Sequence, residues 1–453
     1  MRPVPWQTRA STVGSQKFST TFVIRHTEYS ERCSVRENSI HLFVALDPMP
    51  HRIYTYVLSI VGFLVLLGNT AAIPEDAPLV FDLVRIPKPN EGAQRSSRRA
   101  QTFSEGASFG KRDTLVAVEQ LQQKGNRMGI KLKLNGGTYI LNLDTGSTPT
   151  WIAHSNFKCF SADQIPISIA KCGIGPDTYK GTFMALDNFR TAYYGGEVAS
   201  GKIAKETIEI GGKKAKDVQI GFANELTWIG DGLTVGVFGI GWGIDNKERE
   251  SSVWQKLCAQ HKLPMQFTLA INRYQDGEAN GGSVAFGSTL DGKPVTPGNG
   301  WTTVDAVSLD RGWHVGRFEW AVDVDGAITK EEICEEAIVD SGDTMIRLPK
   351  ETVNAFLAAW HPDPKWDATP NAWQVDCTAQ GPDAVHVEIG GTRFLLPVKH
   401  NIMIKGTNGR CYLMIADAGT FSLSLGLPFM RHVIINHDLK ERKISFKPKV
   451  YTT

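Results

Sequence analysis

Several features that place a chain in a common protein class are missing from these 453 residues. There is no Cys-x-x-Cys pair, which argues against a zinc ribbon or a thiol redox motif. The glycine-rich stretch 236–241 is not followed by Gly-Lys-Ser/Thr, so it does not predict a phosphate loop. Asn-x-Ser/Thr does not occur, and the formal net charge is only +2. We therefore expect neither N-glycosylation nor a nucleic-acid partner.

The apolar run at Ile53–Leu67 is too short for a membrane span. It has about 15 residues without charge, whereas a helix across a bilayer needs about 20. Arg52 precedes it and small residues close it near Ala72, which is typical of a secretory signal peptide. Our hypothesis is that translation starts at Met49, with 49–72 as the signal peptide and 1–48 as a wrongly assigned leader. The alternative is a signal-anchor with an N-terminal cytoplasmic tail.

Residues 73–112 are rich in Pro, Ser, Gly and Arg and predict a pro-segment. Two dibasic pairs, Arg98-Arg99 and Lys111-Arg112, are plausible sites for a kexin- or furin-type enzyme. Because patterned sequence begins soon after the second pair, we predict a mature chain that starts at Asp113.

Cysteine usage agrees with export. Six of the seven cysteines lie beyond residue 112, and an even number fits a compartment in which disulfides form. The C-terminus has no apolar tail, so a stable membrane anchor is not expected. We predict a secreted, extracellular protein, with a vacuolar or signal-anchored location as the alternative.

Most of the remaining chain shows the alternation of half-buried strands. Examples are Gly129–Leu134, Thr207–Ile210 and Val385–Ile389, each bounded by Gly or Asn. Helical patterns are confined to about 251–261 and about 349–360. The predicted fold class is therefore all-β with a few short helices.

One short pattern occurs twice, an apolar run that leads into Asp-Thr/Ser-Gly. Leu141–Ser147 contains Asp144, and Ala337–Asp343 contains Asp340, 196 residues later. About ninety residues after each comes an apolar-apolar-Gly string, at 237–241 and at 423–426. A repeat of this kind indicates one site that is assembled from two related halves.

This arrangement resembles the pepsin-like aspartic proteases of peptidase family A1, in a divergent, fungal-type form, from about residue 128 to about residue 449. The resemblance implies a bilobal acid protease fold, with an N-terminal lobe at 113–300 and a C-terminal lobe at 301–453. It also implies a monomer without metal or cofactor, which cleaves polypeptide substrates and binds pepstatin-type inhibitors. The alternative is a weak or inactive relative that binds peptides or proteins as an inhibitor or binding module.

Two carboxylates held close together suit this chemistry. Like charges cannot both ionise at short distance, so the pair shares one proton. One member then takes a proton from water while the other gives a proton to the carbonyl oxygen of the peptide. We predict Asp144 and Asp340 as this catalytic pair. Asp340-Ser341-Gly342 does not predict a serine protease, because Val339 and Asp343 replace the flanking glycines.

The resemblance also implies roles for the neighbours of the two aspartates. Gly146 and Gly342 let the backbone turn tightly, Thr145 and Ser341 hydrogen-bond across the two loops, and Ser147 hydrogen-bonds Asp144. Tyr194 corresponds to the tyrosine of a hairpin flap, with Trp151 as its hydrogen-bond partner. The predicted substrate-binding residues are Asn142, Trp151, Tyr194, Gly196 and Thr344. The implied disulfides are Cys159–Cys172 and Cys377–Cys411, and Cys258 and Cys334 either pair or stay free.

Two residues depart from the family pattern. Asp343 stands where Thr or Ser usually donates a hydrogen bond to the second aspartate, and an ionised Asp adds like charge instead. A protonated Asp343 could still donate, so we hypothesise activity that is confined to low pH. Asn142, two residues before Asp144, either lines a polar substrate pocket or bonds to the neighbouring backbone.

Overall fold

The computed structural model describes residues 79–84, 119–122, 125–242, 252–273, 280–307, 312–368, 371–399, 401–406, 408–449 and 451. The predicted leader, the signal peptide and the two dibasic pairs lie outside these residues. The pro-segment is described only at 79–84.

The described residues form mostly β-strands. The strands up to residue 286 are β1 Leu79–Val84, β2 Glu119–Gln122, β3 Gly125–Leu134, β4 Gly137–Asp144, β5 Trp151–Phe160, β6 Pro166–Ile167, β7 Asp187–Ala192, β8 Val198–Ile210, β9 Lys213–Thr227, β10 Gly236–Gly239, β11 Gln266–Ile271 and β12 Asn280–Phe286. The later strands are β13 Thr302–Asp305, β14 His314–Val315, β15 Phe318–Val324, β16 Ala327–Ile333, β17 Ala337–Val339, β18 Ile346–Leu348, β19 Lys365–Asp367, β20 Ala372–Val375, β21 Ala384–Ile389, β22 Thr392–Pro397, β23 Met403–Lys405, β24 Cys411–Leu413, β25 Ile415–Asp417, β26 Leu423–Leu425, β27 Val433–Asp438 and β28 Lys443–Pro448.

Helices are few and short within the described ranges. They are α1 Val253–Gln260, α2 Lys350–Ala358 and α3 Leu427–Met430, with 3₁₀ turns at Ile169–Cys172 and Pro297–Asn299. At the start of helix α1 the Ser252 N–H donates to Gln255 Oε1 at 3.0 Å, which satisfies the backbone of the N-cap residue. The first two helices fall where the sequence predicts them, and the all-β class with short helices is confirmed. None of the described helices is long and apolar enough to cross a membrane.

The strands form five sheets. Strands β2 to β10 form a nine-stranded sheet in the first half. The second half contains a five-stranded sheet in the order β14-β17-β26-β18-β25 and two four-stranded sheets. A six-stranded sheet, in the order β1-β12-β11-β27-β28-β13, takes strands from both halves. The two halves are therefore joined by main-chain hydrogen bonds as well as by packing.

Each aspartate motif ends a strand that has a parallel partner from much later in the chain. Strand β4 pairs with β10, so that Asp144 lies opposite Gly239. Strand β17 pairs in the same sense with β26, with Val339 opposite Leu425. The two apolar-apolar-Gly strings therefore run beside the motif strands. This repeated crossing gives the two motifs matching positions at the ends of their strands.

A buried connection joins the two motif loops below the site. The Ile240 N–H donates to the carbonyl oxygen of Asp144 at 2.7 Å, and the Ile240 carbonyl accepts the Trp313 indole N–H at 3.0 Å. The Val339 N–H donates in turn to the Trp313 carbonyl at 2.8 Å. Trp313 also packs edge-on against Trp242, with ring centroids 4.6 Å apart. These buried hydrogen bonds thus fix the positions of the two motif loops relative to each other.

Both predicted disulfides are present. Cys159–Cys172 and Cys377–Cys411 join Cα atoms 6.0 and 5.1 Å apart. Cys258 is a buried free thiol, so it does not pair with Cys334. Burial raises the pKa of the Cys258 thiol to about 12, which makes it a poor nucleophile.

Candidate active site

The two motif loops meet closely enough to bring their carboxylates together. A Cβ at Gly146 would lie 2.5 Å from the Asp340 carboxylate, and one at Gly342 would lie 2.6 Å from Asp144 Oδ1. Neither glycine has a positive φ. These positions therefore require glycine for close approach of the opposite carboxylate rather than for an unusual backbone conformation.

Four hydrogen bonds with two-fold symmetry fix the loops to each other. The Thr145 N–H donates to Ser341 Oγ at 3.0 Å, and the Ser341 N–H donates to Thr145 Oγ1 at 2.8 Å. Each hydroxyl then donates across the interface, Thr145 to the Val339 carbonyl and Ser341 to the Leu143 carbonyl, both at 2.8 Å. Both side chains are buried. The Thr145 and Ser341 hydroxyls therefore hydrogen-bond across the two loops, which is the contact that the resemblance implied for them.

Asp144 and Asp340 have matching backbone donors. The Gly146 N–H donates to Asp144 Oδ1 at 2.8 Å, and the Gly342 N–H donates to Asp340 Oδ1 at 2.7 Å. The two carboxyl groups face each other across the loops, since a Cβ on either glycine would meet the opposite carboxylate. Burial, the charge of Asp144 and the charge of Asp343 raise the pKa of Asp340 well above its ordinary value. The hydrogen bond from the Gly342 N–H lowers this pKa but does not outweigh them. The pair is therefore arranged to hold one proton between two carboxylates.

The outer sides of the two aspartates differ. Ser147 Oγ donates to Asp144 Oδ2 at 2.5 Å. Asp343 occupies the corresponding position beside Asp340, but its oxygens accept from Arg347 Nε at 2.7 Å and from the Met345 N–H at 3.0 Å. The hypothesis of a protonated Asp343 that donates to Asp340 is therefore wrong for this geometry. A guanidinium supplies the donors, so Asp343 acts as a carboxylate acceptor.

The predicted flap is a hairpin of β7 and β8, but the tyrosine that bonds Trp151 is not the one expected. The Trp151 indole N–H donates to Tyr193 Oη at 2.7 Å. Tyr194 lies in the turn, 59% exposed, with its ring 6.0 Å from that of Phe421 in the other lobe. The prediction that Trp151 bonds Tyr194 is wrong. Side chains alternate along a strand, and Tyr193 shares a face with the buried Thr191.

Tyr193 lies over the first aspartate. Its hydroxyl interacts with Trp151, Ser147 and Thr191. Burial, followed by the negative charge of Asp144, raises the pKa of Tyr193 above its ordinary value. Its ring packs edge-on against Trp228, with centroids 5.3 Å apart. Alternation counted from Thr191 distinguishes Tyr193 from Tyr194 only once the structure shows that Thr191 is buried.

The other predicted substrate-binding residues have different environments. Asn142 is 4% exposed, and its Oδ1 accepts no hydrogen bond from the described residues. Gly196 is exposed at the hairpin turn with φ of 85°, and its N–H donates to the Tyr193 carbonyl at 3.0 Å. Thr344 is half-buried next to Asp343. Of these three, Asn142 is the one buried beside the aspartate pair on the motif strand.

Nothing in the described ranges resembles a metal centre, since no three His, Cys, Asp or Glu side chains come together there. Arg347 is the charged residue of the site that sequence reasoning missed. Its signal was the four-residue spacing from Asp343, which is meaningful only once the turn between them is known.

Comparison with known proteins gives a consistent result. A family profile described as eukaryotic aspartyl protease matches residues 129–449. A probable aspartic-type endopeptidase of Aspergillus fumigatus is 26% identical over 398 residues, which cover 82% of this chain and 87% of the relative. Rhizopuspepsin-4 of Rhizopus niveus is 26% identical over 59% of this chain and 62% of its own length. Secreted aspartic protease 10 of Candida albicans is 22% identical over 69% of each chain.

A solved structure agrees on the fold. The crystal structure of aspartic proteinase from Irpex lacteus aligns with a TM-score of 0.58 at 17% identity. The alignment covers 75% of this chain and 98% of that protein. The likeness at this identity concerns the bilobal architecture.

Proposed function

The chain belongs to the eukaryotic aspartyl protease family, and on that premise we propose that it is a secreted endopeptidase that hydrolyses polypeptides at acidic pH. The observation that carries the proposal is the pair of adjacent carboxyl groups, Asp144 and Asp340, each held by the N–H of the glycine two residues later. A protein that only binds peptides has no need for a buried pair of acids that share one proton.

The local contacts suggest which carboxyl holds the proton. Asp144 accepts hydrogen bonds from the Gly146 N–H and the Ser147 hydroxyl, so both of its oxygens act as acceptors. Asp340 has Gly342 as its backbone donor and Asp343 as a like charge nearby. We therefore assign the resting proton to Asp340. The two groups still titrate as a pair.

The reaction follows from this assignment. Asp144 takes a proton from a water molecule as it attacks the peptide carbonyl, and Asp340 gives its proton to the carbonyl oxygen. The C–N bond of the resulting tetrahedral species breaks as the leaving nitrogen takes the proton from Asp144 and a hydroxyl of the species returns its proton to Asp340, which restores the starting state of the pair. The Tyr193 hairpin covers the site and limits access of bulk water, as a lid does in many hydrolases. One proton on the pair is required, so activity is expected in acid.

The front of the chain supports export. A signal peptide at 49–72 and a pro-segment at 73–112, removed after Lys111-Arg112, would deliver a mature monomer of 113–453 outside the cell, with its N-terminal lobe at 113–300 and its C-terminal lobe at 301–453. Strand β1 lies inside this pro-segment and pairs antiparallel with β12, from Leu79 opposite Phe286 to Val84 opposite Asn280. Processing would therefore remove an edge strand of the six-stranded sheet.

Hydrolysis of an acid-denatured protein at pH 3–5, with and without a pepstatin-type inhibitor, tests the proposal. The processed wild-type protein should cleave this substrate. The inhibitor should block the cleavage, and the Asp144→Asn variant should show none. Asp163→Asn is a matched control, because Asp163 is exposed in a surface turn. If wild type and Asp144→Asn were equally silent, the alternative of a peptide- or protein-binding relative would replace the proposal.

A further inference from the structure

Arg347 is a charged residue one contact away from the second aspartate. It makes a two-point ion pair with Asp343, Nε to Oδ2 at 2.7 Å and Nη2 to Oδ1 at 3.4 Å. The side chains of Arg347 and Asp343 are 26% and 12% exposed. A forked pair of this kind, largely removed from solvent, is stronger and more directional than a surface ion pair.

The main chain holds both partners in place. The Leu427 N–H donates to the Asp343 carbonyl at 2.9 Å, and the Met345 N–H donates to Asp343 Oδ1 at 3.0 Å. Arg347 lies on β18, hydrogen-bonded between β25 and β26, opposite Ala416 and Ser424. Neither end of the ion pair can move far without breaking a sheet or a turn. The pair is therefore a fixed element of the site.

Other ionisable groups around the site are few. Asp144 and Asp343 are the charges that act on Asp340. The Tyr193 hydroxyl faces Asp144 from the hairpin. Asp417 lies on β25 opposite Leu348, and its carboxylate accepts the Gly419 N–H at 2.8 Å. Among the described residues, Arg347 is thus the cation that pairs with the Asp343 carboxylate.

We propose that Arg347 is a positioning residue of this site, which by pairing with Asp343 compensates the negative charge beside Asp340 and so sets the pH range over which the two catalytic aspartates share one proton. The proposal rests on the proposed proteolytic function and concerns the same site. Without the guanidinium, Asp343 would place an uncompensated charge next to the pair. Without Asp343, the guanidinium would face the pair directly.

The two single variants should therefore act in opposite directions. In Arg347→Met the remaining carboxylate favours the protonated forms of the pair, so both limbs of the kcat/KM profile move to higher pH, by roughly half to one unit. In Asp343→Asn the remaining guanidinium favours the ionised forms, so both limbs move to lower pH by a similar amount. The double variant and Arg347→Lys should return to within about 0.3 unit of wild type.

Arg393→Met is the matched control. Arg393 pairs with Glu388 at 3.4 Å in the β21–β22 hairpin, away from the motif loops, and its removal should leave the profile unmoved. A fall in kcat for Arg347→Met at an unchanged pH profile would mean that the ion pair only supports the loop, and it would overturn the proposal. Shifts of the same sign in both single variants would also overturn it.

Calorimetric titration with a pepstatin-type inhibitor across pH 2–7 measures the protonation of the same two aspartates without substrate turnover. The pH dependence of the inhibitor affinity should shift in the same direction as the kcat/KM profile in each variant. If the wild-type protein did not cleave substrate but bound the inhibitor with a pH dependence that shifts in the two variants, the result would count against the proposed activity and support the role of Arg347. Intact cleavage with unshifted profiles would count against Arg347 alone.

Discussion

His437 provides a quantitative test of how the buried core responds to acid. Its ring is fully buried on β27, stacked on Phe267 with centroids 4.4 Å apart and edge-on to Trp313 at 4.9 Å. Neither ring nitrogen has a hydrogen-bond partner among the described residues. Burial lowers the pKa of His437 from 6.5 to about 3. The imidazole must therefore stay neutral in the folded protein.

The sign of the effect follows from proton linkage. Between pH 6.5 and 3 the unfolded chain binds a proton at His437 that the folded chain does not, so the free energy of unfolding falls as the pH falls. One proton corresponds to about 1.4 kcal/mol per pH unit, so the loss is about 3 kcal/mol at pH 4.5. Asp340 acts in the opposite sense, because its raised pKa makes the folded state hold a proton that the unfolded state releases.

The variant His437→Phe keeps a stacked ring but cannot titrate. We expect its free energy of unfolding, relative to wild type, to rise by about 2 to 3 kcal/mol between pH 7 and pH 4.5. Urea unfolding followed by tryptophan fluorescence, with both proteins carrying Asp144→Asn to prevent self-digestion, measures this difference and cancels the contribution of Asp340. His361→Phe is the control, because His361 is exposed to solvent when folded.

A difference between His437→Phe and wild type that stayed constant with pH would refute the reasoning. It would mean that the folded protein accepts a proton at this ring, through water or a rearranged neighbour. His432 reinforces the expected acid lability, since burial and the charges of Arg273, Arg431 and Lys449 lower its pKa to about 3.

Three further predictions concern the site itself. Tyr193→Phe should lower kcat/KM for a peptide substrate by about tenfold, because it removes the acceptor of the Trp151 N–H, whereas Tyr194→Phe should stay within about twofold; equal effects in steady-state kinetics would contradict the flap assignment. Thr145→Val deletes two buried hydrogen bonds between the loops, so the free energy of unfolding in urea should fall by about 2 to 5 kcal/mol. A fall of less than about 1 kcal/mol would show that the loops do not depend on these bonds. Asn142→Leu removes an unpaired buried oxygen and should stabilise the fold by about 1 kcal/mol while shifting cleavage of a peptide library towards large apolar side chains; an unchanged preference would place Asn142 outside the substrate pocket.

The error at the flap shows where sequence reasoning is weakest. Two adjacent tyrosines point to opposite faces of a hairpin, so a shift of one residue exchanges their roles. The turn decides this register. The Gly196 N–H bonds the Tyr193 carbonyl, and the Tyr193 N–H bonds the Glu197 carbonyl at 2.8 Å, which leaves Tyr194 in the turn itself. The composition of this segment is compatible with either register.

Asp343 is a second example. In the sequence it is a carboxylate where a hydroxyl donor is usual, which suggested a protonated Asp343 that still donates. The structure adds Arg347, four residues later on β18, which turns the same side chain into an acceptor. Similarly, the sequence suggested that Gly146 lets the backbone turn tightly, and the structure adds that a side chain there would meet the Asp340 carboxylate.

The sequence by itself determined the fold class and the repeated aspartate motif, and through the family resemblance it implied both disulfides. These features depend on local patterns and on spacings that repeat along the chain, and such patterns survive without knowledge of the three-dimensional contacts. Only the tertiary structure decided which tyrosine covers the site, why the two glycines are required, and that Arg347 compensates Asp343. Those features depend on which side chains face each other across strands and lobes, and hairpin register and loop geometry set these contacts after the chain has folded.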